Sequence, residues 1–148
     1  MADLKDLYQQ LIIDHGRYPR NFGTDEHAHH KKEGYNPLCG DRLTLYITDK
    51  NNTIEKICFH GEGCAISMAS ASLMTEALQG KTIDEAKQLF KQFHDLVTNG
   101  DTSYLEKLGK LAVLSGVREF PVRVKCATLA WHTLLAALND DKKPATTE

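Results

Sequence analysis

Three thiols and one carboxylate, Cys39, Cys64, Cys126 and Asp41, each stand beside a turn or a helix-start signal. Those residue types hold soft metals and carry sulfur. In Asn36-Pro37-Leu38-Cys39-Gly40-Asp41, Pro and Gly break regular structure, so Cys39 and Asp41 share a bend and both side chains can reach one ion. Gly61-Glu62-Gly63-Cys64-Ala65-Ile66-Ser67 is a glycine turn running into a helix opening. Cys64 then lies in a first turn, where unpaired N–H groups and the positive end of the helix dipole favour a thiolate. Arg123-Val124-Lys125-Cys126-Ala127 follows Pro121, which predicts a helix starting near Cys126 with two cations adjacent. All three thiols are therefore expected to be activated, and the four residues to form one metal and sulfur site.

The elements that must position them read as α+β, with strands early and helices late. Leu4, Leu7, Tyr8, Leu11 and Ile12 recur at helical spacing behind an Asp3 cap, with Gly16 as the stop. The stretch before Asn36 can pair as an edge strand. Leu43, Leu45 and Ile47 alternate with polar residues, Lys50-Asn51-Asn52 turns the chain, and Ile57 and Phe59 alternate again, predicting a hairpin with one buried face. Antiparallel pairing brings its two ends together, and with them Cys39, Asp41 and Cys64. Cys58 is expected to point off the buried face. Ile66 to Leu78 reads as a small-residue helix ending near Gly80. Thr82 and Glu85 form a capping box for a helix presenting Ile83, Ala86, Phe90, Phe93 and Val97. After the Asn99-Gly100 turn come a shorter helix through Leu105, Leu108 and Leu111 and a last one from near Cys126 to Leu138. Residues 1–139 are read as a single domain, and 140–148 as a disordered polar tail.

Composition narrows the function. A chain of 148 residues is long enough to bury about two-thirds of its unfolded surface. A net charge of −2, without a basic stripe, argues against nucleic acid as a partner. The apolar runs are too short to span a bilayer, which argues against a membrane. Met1 to Gly16 is acidic and amphipathic rather than leader-like, so a cytoplasmic setting with reduced thiols is expected. Four Cys are too few for a disulfide scaffold and point to metal or thiol chemistry. His27, His29 and His30 with Lys31 and Lys32 are read as a solvated loop, and His15 as a cation at a helix end.

The motifs Pro37-Leu38-Cys39-Gly40-Asp41, Gly61 to Ser67 and Lys125-Cys126-Ala127-Thr128-Leu129-Ala130-Trp131, with Asp14-His15 to Asn21-Phe22-Gly23 upstream, resemble the U-type iron–sulfur cluster assembly proteins. Within that family the chain is most similar to the SufU branch, over about Leu4 to Leu138. The resemblance implies a small antiparallel sheet with helices packed on one side, of the SufE/NifU-like type, and Cys39, Asp41, Cys64 and Cys126 as ligands. Lys125 stands where the IscU-type scaffolds have His, and the segment between about Leu96 and Glu119 is extra to them. Both fit the SufU branch, whose members resemble zinc-dependent sulfur acceptors for a SufS-type cysteine desulfurase. Arg123 matches a branch position implicated in tuning the site.

Soft thiolates and a hard carboxylate suit tetrahedral zinc, which has no redox chemistry of its own to damage the thiols. With Zn2+ the set carries a charge of about −2, which Arg123, Lys125 and Arg42 are expected to offset. Cys39 is the expected acceptor of persulfide sulfur, passing it to a downstream acceptor. Two other readings stay open: a scaffold binding iron or a [2Fe-2S] cluster on the same residues, and a Cys/His hydrolase using His15 or His60 as base.

Overall fold

The computed structural model describes residues 4–139 and 145–146. Helix α1 (Leu4–Arg17) is followed by strands β1 (His30–Asn36), β2 (Asp41–Lys50) and β3 (Thr53–Glu62). Helices α2 (Ala65–Leu78), α3 (Ile83–Asn99) and the single-turn α4 (Leu105–Leu108) come next. A 3-10 segment over Gly109–Glu119 then leads into α5 (Pro121–Leu138), and β4 is Ala145–Thr146. The order across the sheet is β3-β2-β1-β4. The Asp3 cap lies outside the described residues.

The hairpin forms where alternation predicts it. Asn51 and Asn52 both take positive φ, at 53° and 64°, as a two-residue turn matched to the strands' twist requires. Leu45 faces Phe59 and Ile47 faces Ile57 across the β2–β3 pair, all essentially buried. β1 adds antiparallel on the other side of β2, from His30 opposite Ile47 to Asn36 opposite Asp41, so of the expected solvated loop only His27 and His29 lie outside a strand, while His30, Lys31 and Lys32 pair within β1. β4 pairs parallel with β1 at Gly34 and Tyr35. It makes the sheet mixed rather than purely antiparallel and gives the tail, expected to be disordered, an ordered pair of residues. The rest of 140–148 lies outside the described residues.

The helices cover the sheet face that carries Leu43, Leu45, Ile47, Ile57 and Phe59. Gly34 of β1 allows the closest approach: a Cβ there would strike Thr133 Oγ1 of α5. Between helices, Trp131 of α5 stacks on Phe93 of α3 at 4.8 Å. The Thr82–Glu85 capping box is present in full, and Gly100 closes α3 in the left-handed conformation at φ 71°. The segment between Leu96 and Glu119 is no surface insertion. It buries Leu108, Leu111, Val113, Leu114 and Val117 in the same core.

Candidate metal centre

Each candidate residue is held by a different element, and all four elements end at one rim of the sheet. Asp41 is the first residue of β2 and is fully buried. Cys39 sits two residues earlier on the turn out of β1 and is exposed. Gly40, at φ 72°, takes the left-handed conformation that this reversal needs and that glycine tolerates. Cys64 is the N-cap of α2, its Sγ accepting from Ser67 N at 3.4 Å, which agrees with the expected placement at the helix's positive end.

Cys126 is where the helix-start expectation fails. Helix α5 begins at Pro121, whose fixed φ suits a first helical position, so Cys126 lies in the second turn and is 2% exposed. The thiol gains nothing from unpaired N–H groups there. Burial pushes its pKa well up, and its contacts with Cys39, Asp41 and Cys64 push it the same way. A buried donor set of this kind releases its protons when a cation compensates the charge.

Sγ of Cys39, a carboxylate oxygen of Asp41 and Sγ of Cys126 all lie within 4.8 Å of one another, with the two sulfurs 3.2 Å apart. Zn–S bonds of about 2.3 Å at tetrahedral angles put sulfurs about 3.8 Å apart, so a small outward shift would admit the ion. Cys64 touches the group through Cys126 but lies outside the three-atom set, its sulfur turned toward Ser67. The donors fit zinc: two thiols and a carboxylate in reach, and a third thiol adjoining.

One buried residue organises this set and was not singled out in the sequence. Asn36 donates from Nδ2 to Asp41 Oδ2 at 3.0 Å and to Cys126 Sγ at 3.5 Å. Its Oδ1 accepts from Leu38 N at 3.3 Å, shaping the turn that carries Cys39. The available signal was an Asn two residues before that turn's apex, the position of an Asx turn. The other oxygen of Asp41 accepts from Cys64 N at 2.9 Å. Gly63 is packed on the same carboxylate, and a Cβ there would come within 2.6 Å of Oδ1.

The expected charge partners are placed differently. Arg42 follows Asp41 along a strand, so their side chains project to opposite faces; its guanidinium lies over the Tyr35 ring at 4.9 Å. Arg123, exposed and three residues before Cys126 on α5, stacks on Phe120 at 4.5 Å. Lys125 is half-buried. His15 is not a helix-end cation. It is 1% exposed, its Nδ1 shares a 2.7 Å hydrogen bond with Ser72 Oγ, and desolvation holds its pKa low. His60 is exposed beside Phe22. Neither histidine joins the sulfur set, which leaves the hydrolase reading without a base. Cys58 does leave the core face, opposite Tyr46, yet it is 7% exposed. The chain at Asn21–Asp25 runs beside β3, bonded through Gly23 N to Phe59 O and Asp25 to Lys56, and closes over that side.

The family model for the NifU-like N-terminal domain matches residues 7–146. The chain belongs to this U-type iron–sulfur cluster assembly family. Among NifU-like proteins it is 43% identical over 133 residues to the zinc-dependent sulfurtransferase SufU of Bacillus subtilis, covering 90% of each chain. It is 37% identical over 138 residues to the iron–sulfur cluster assembly scaffold protein IscU of Streptococcus pyogenes, covering 93% of this chain and 86% of that one. The crystal structure of FiSufU, a SUF-system protein from Fervidobacterium islandicum AW-1, superposes with a TM-score of 0.84 at 36% identity, over 92% of this chain and 99% of that one. This NifU-like domain has, among its described residues, no helix long and apolar enough to cross a membrane.

Proposed function

We propose that this protein is a zinc-dependent sulfur acceptor in iron–sulfur cluster assembly, taking persulfide sulfur from a SufS-type cysteine desulfurase and stimulating that enzyme. The observation that carries the reading is the exposed Cys39 thiol held against a buried Asp41 and Cys126, in a chain 43% identical to a protein named a zinc-dependent sulfurtransferase.

Cys39, Asp41, Cys64 and Cys126 would hold the zinc, which supplies charge compensation for the thiolates and no redox chemistry. The chain's own residues then divide the work. Asp41, fixed by Asn36 and by Cys64 N, anchors the buried side. Cys39, on a turn rather than in a strand or helix, is the donor whose departure disturbs least. Freed on docking, its thiolate attacks the outer sulfur of the desulfurase persulfide: a bond forms from Cys39 Sγ to that sulfur, the partner's sulfur–sulfur bond breaks, and the partner leaves as thiolate. Arg123, on the exposed first turn of α5, offsets the negative charge that gathers as two sulfur centres meet. The half-buried Lys125 offers no lone pair as an ammonium, so the donor set stays at three thiols and a carboxylate. Reduced thiols of this kind belong in the cytoplasm.

The test is to incubate the zinc-loaded protein with the desulfurase and cysteine and to map added sulfur by mass. Sulfur on Cys39 and its absence from Cys39→Ala are expected; a Cys39→Ala protein that still accepts sulfur overturns the assignment. A scaffold role for a [2Fe-2S] cluster is the second reading, favoured by the similarity to proteins named IscU scaffolds. Anaerobic reconstitution yielding a stable stoichiometric cluster would support it.

A further inference from the structure

Cys126 is buried inside α5, and Cys39 stands on a turn with its Sγ 3.2 Å away. A disulfide bond is about 2.05 Å long, so the two sulfurs need to close by about 1.2 Å to bond. The turn bearing Cys39 is the exposed side of the pair. Cys64 is engaged at the cap of α2 through Ser67 N, and Cys58 lies out on β3 opposite Tyr46. Cys126 is therefore the thiol placed on the inner sulfur of anything Cys39 carries.

The geometry points to Cys126 as a resolving thiol: when metal does not engage it, Cys126 discharges the sulfur held on Cys39 as hydrogen sulfide and leaves a Cys39–Cys126 disulfide. The inference rests on the sulfur-acceptor reading of Cys39. The step balances without an outside oxidant. A bond forms between Cys126 Sγ and Cys39 Sγ, and the bond from Cys39 Sγ to the outer sulfur breaks with its electron pair leaving on the outer sulfur. The Cys126 thiol gives up its proton as it attacks, and the departing sulfur takes one up and leaves as hydrogen sulfide. The Cys126 sulfur is oxidised and the departing sulfur is reduced. Held in contact within one chain, Cys126 outcompetes thiols that must arrive from solution. A dithiol reductant of the cell returns the disulfide to two thiols. Metal content then selects between two outputs of one site: sulfur kept as persulfide when Cys126 is a ligand, sulfur released as sulfide when it is not.

The experiment loads the full-length protein with sulfur from radiolabelled cysteine on an immobilised desulfurase, at zinc contents from none to one per chain. Volatile labelled sulfide and peptide masses are then read. Zinc-free wild type should release sulfide and yield a peptide pair joined through Cys39 and Cys126. Zinc-loaded wild type and zinc-free Cys126→Ser should keep the added sulfur on Cys39 and release sulfide at least about tenfold more slowly. Cys58→Ser should behave as wild type. If Cys126→Ser fails to fold, the zinc series on wild type decides, since sulfide and linked peptide must fall together as zinc rises. A persulfide that persists on Cys39 of the zinc-free wild type overturns the inference and leaves sulfur acceptance standing. A protein that acquires no sulfur on Cys39 overturns both.

Discussion

Asn36→Ala tests how the candidate site is held together. The side chain donates to a buried carboxylate at 3.0 Å, to the Cys126 sulfur at 3.5 Å, and accepts from the backbone at Leu38. A hydrogen bond to a charged group contributes about 1.5–3 kcal/mol, and the longer contact to sulfur adds less. Part of that is lost from the metal-free and the metal-bound protein alike. What remains falls in the range for partners of ligating side chains, about 10–100-fold in metal affinity, or roughly 1.4–2.8 kcal/mol. Asn36→Asp keeps the shape but replaces the donor with a second buried carboxylate beside Asp41, so it should cost at least as much. Zinc affinity is read by competition with a chromophoric chelator, and folding by circular dichroism. A folded Asn36→Ala protein whose affinity stays within about twofold of wild type would show that Asn36 does not hold the zinc ligands, because the loss expected for such a partner begins near tenfold.

Gly63→Ala should weaken zinc binding by about tenfold, because its Cβ would press within 2.6 Å of Asp41 Oδ1 and displace a candidate ligand; Gly116→Ala, with nothing within 4 Å, is the matched control. Gly34→Ala should destabilise the fold by about 1–3 kcal/mol through its collision with Thr133, and Thr133→Ala should recover part of that loss in a denaturant double-mutant cycle. His15 is kept neutral in the fold by desolvation, so its folded pKa lies below its unfolded value near 6.5. Its contribution is present above that pH and is lost as pH falls through the folded pKa. The melting temperature should therefore drop on acidification below about 6.5, and His15→Gln should flatten that drop; an unchanged slope would count against it.

The sequence showed the parts of this fold that follow from local pattern. The β2–β3 hairpin was legible because Leu43, Leu45 and Ile47 alternate and two Asn residues supply the turn, and the α3 cap because Thr82 and Glu85 stand three apart. The four candidate metal-centre residues were singled out because each stands beside a turn or helix-start signal in the sequence, and the structure brings Cys39, Asp41 and Cys126 of them within 4.8 Å of one another. Features set by tertiary contact were not. Cys58 obeys strand alternation, yet the neighbouring Asn21–Asp25 stretch buries it. His15 ends a helix, as its position suggests, but Ser72 and Glu76 of α2 take up its ring. Arg42 adjoins Asp41 in sequence and faces away from it in the strand. The start of α5 at Pro121 moved Cys126 from a helix end into the core, reversing the expected effect on its thiol. Asn36 looked like turn punctuation because its bond to Cys126 spans 90 residues.

Sulfide production from cysteine by a SufS-type desulfurase, in reducing buffer with and without this protein at defined zinc content and with Cys39→Ala alongside, shows whether Cys39 accepts sulfur. Strong stimulation by the zinc-loaded wild type and none by Cys39→Ala are expected. Stimulation that survives the substitution, or a wild type that leaves the desulfurase rate unchanged, would contradict sulfur acceptance at Cys39.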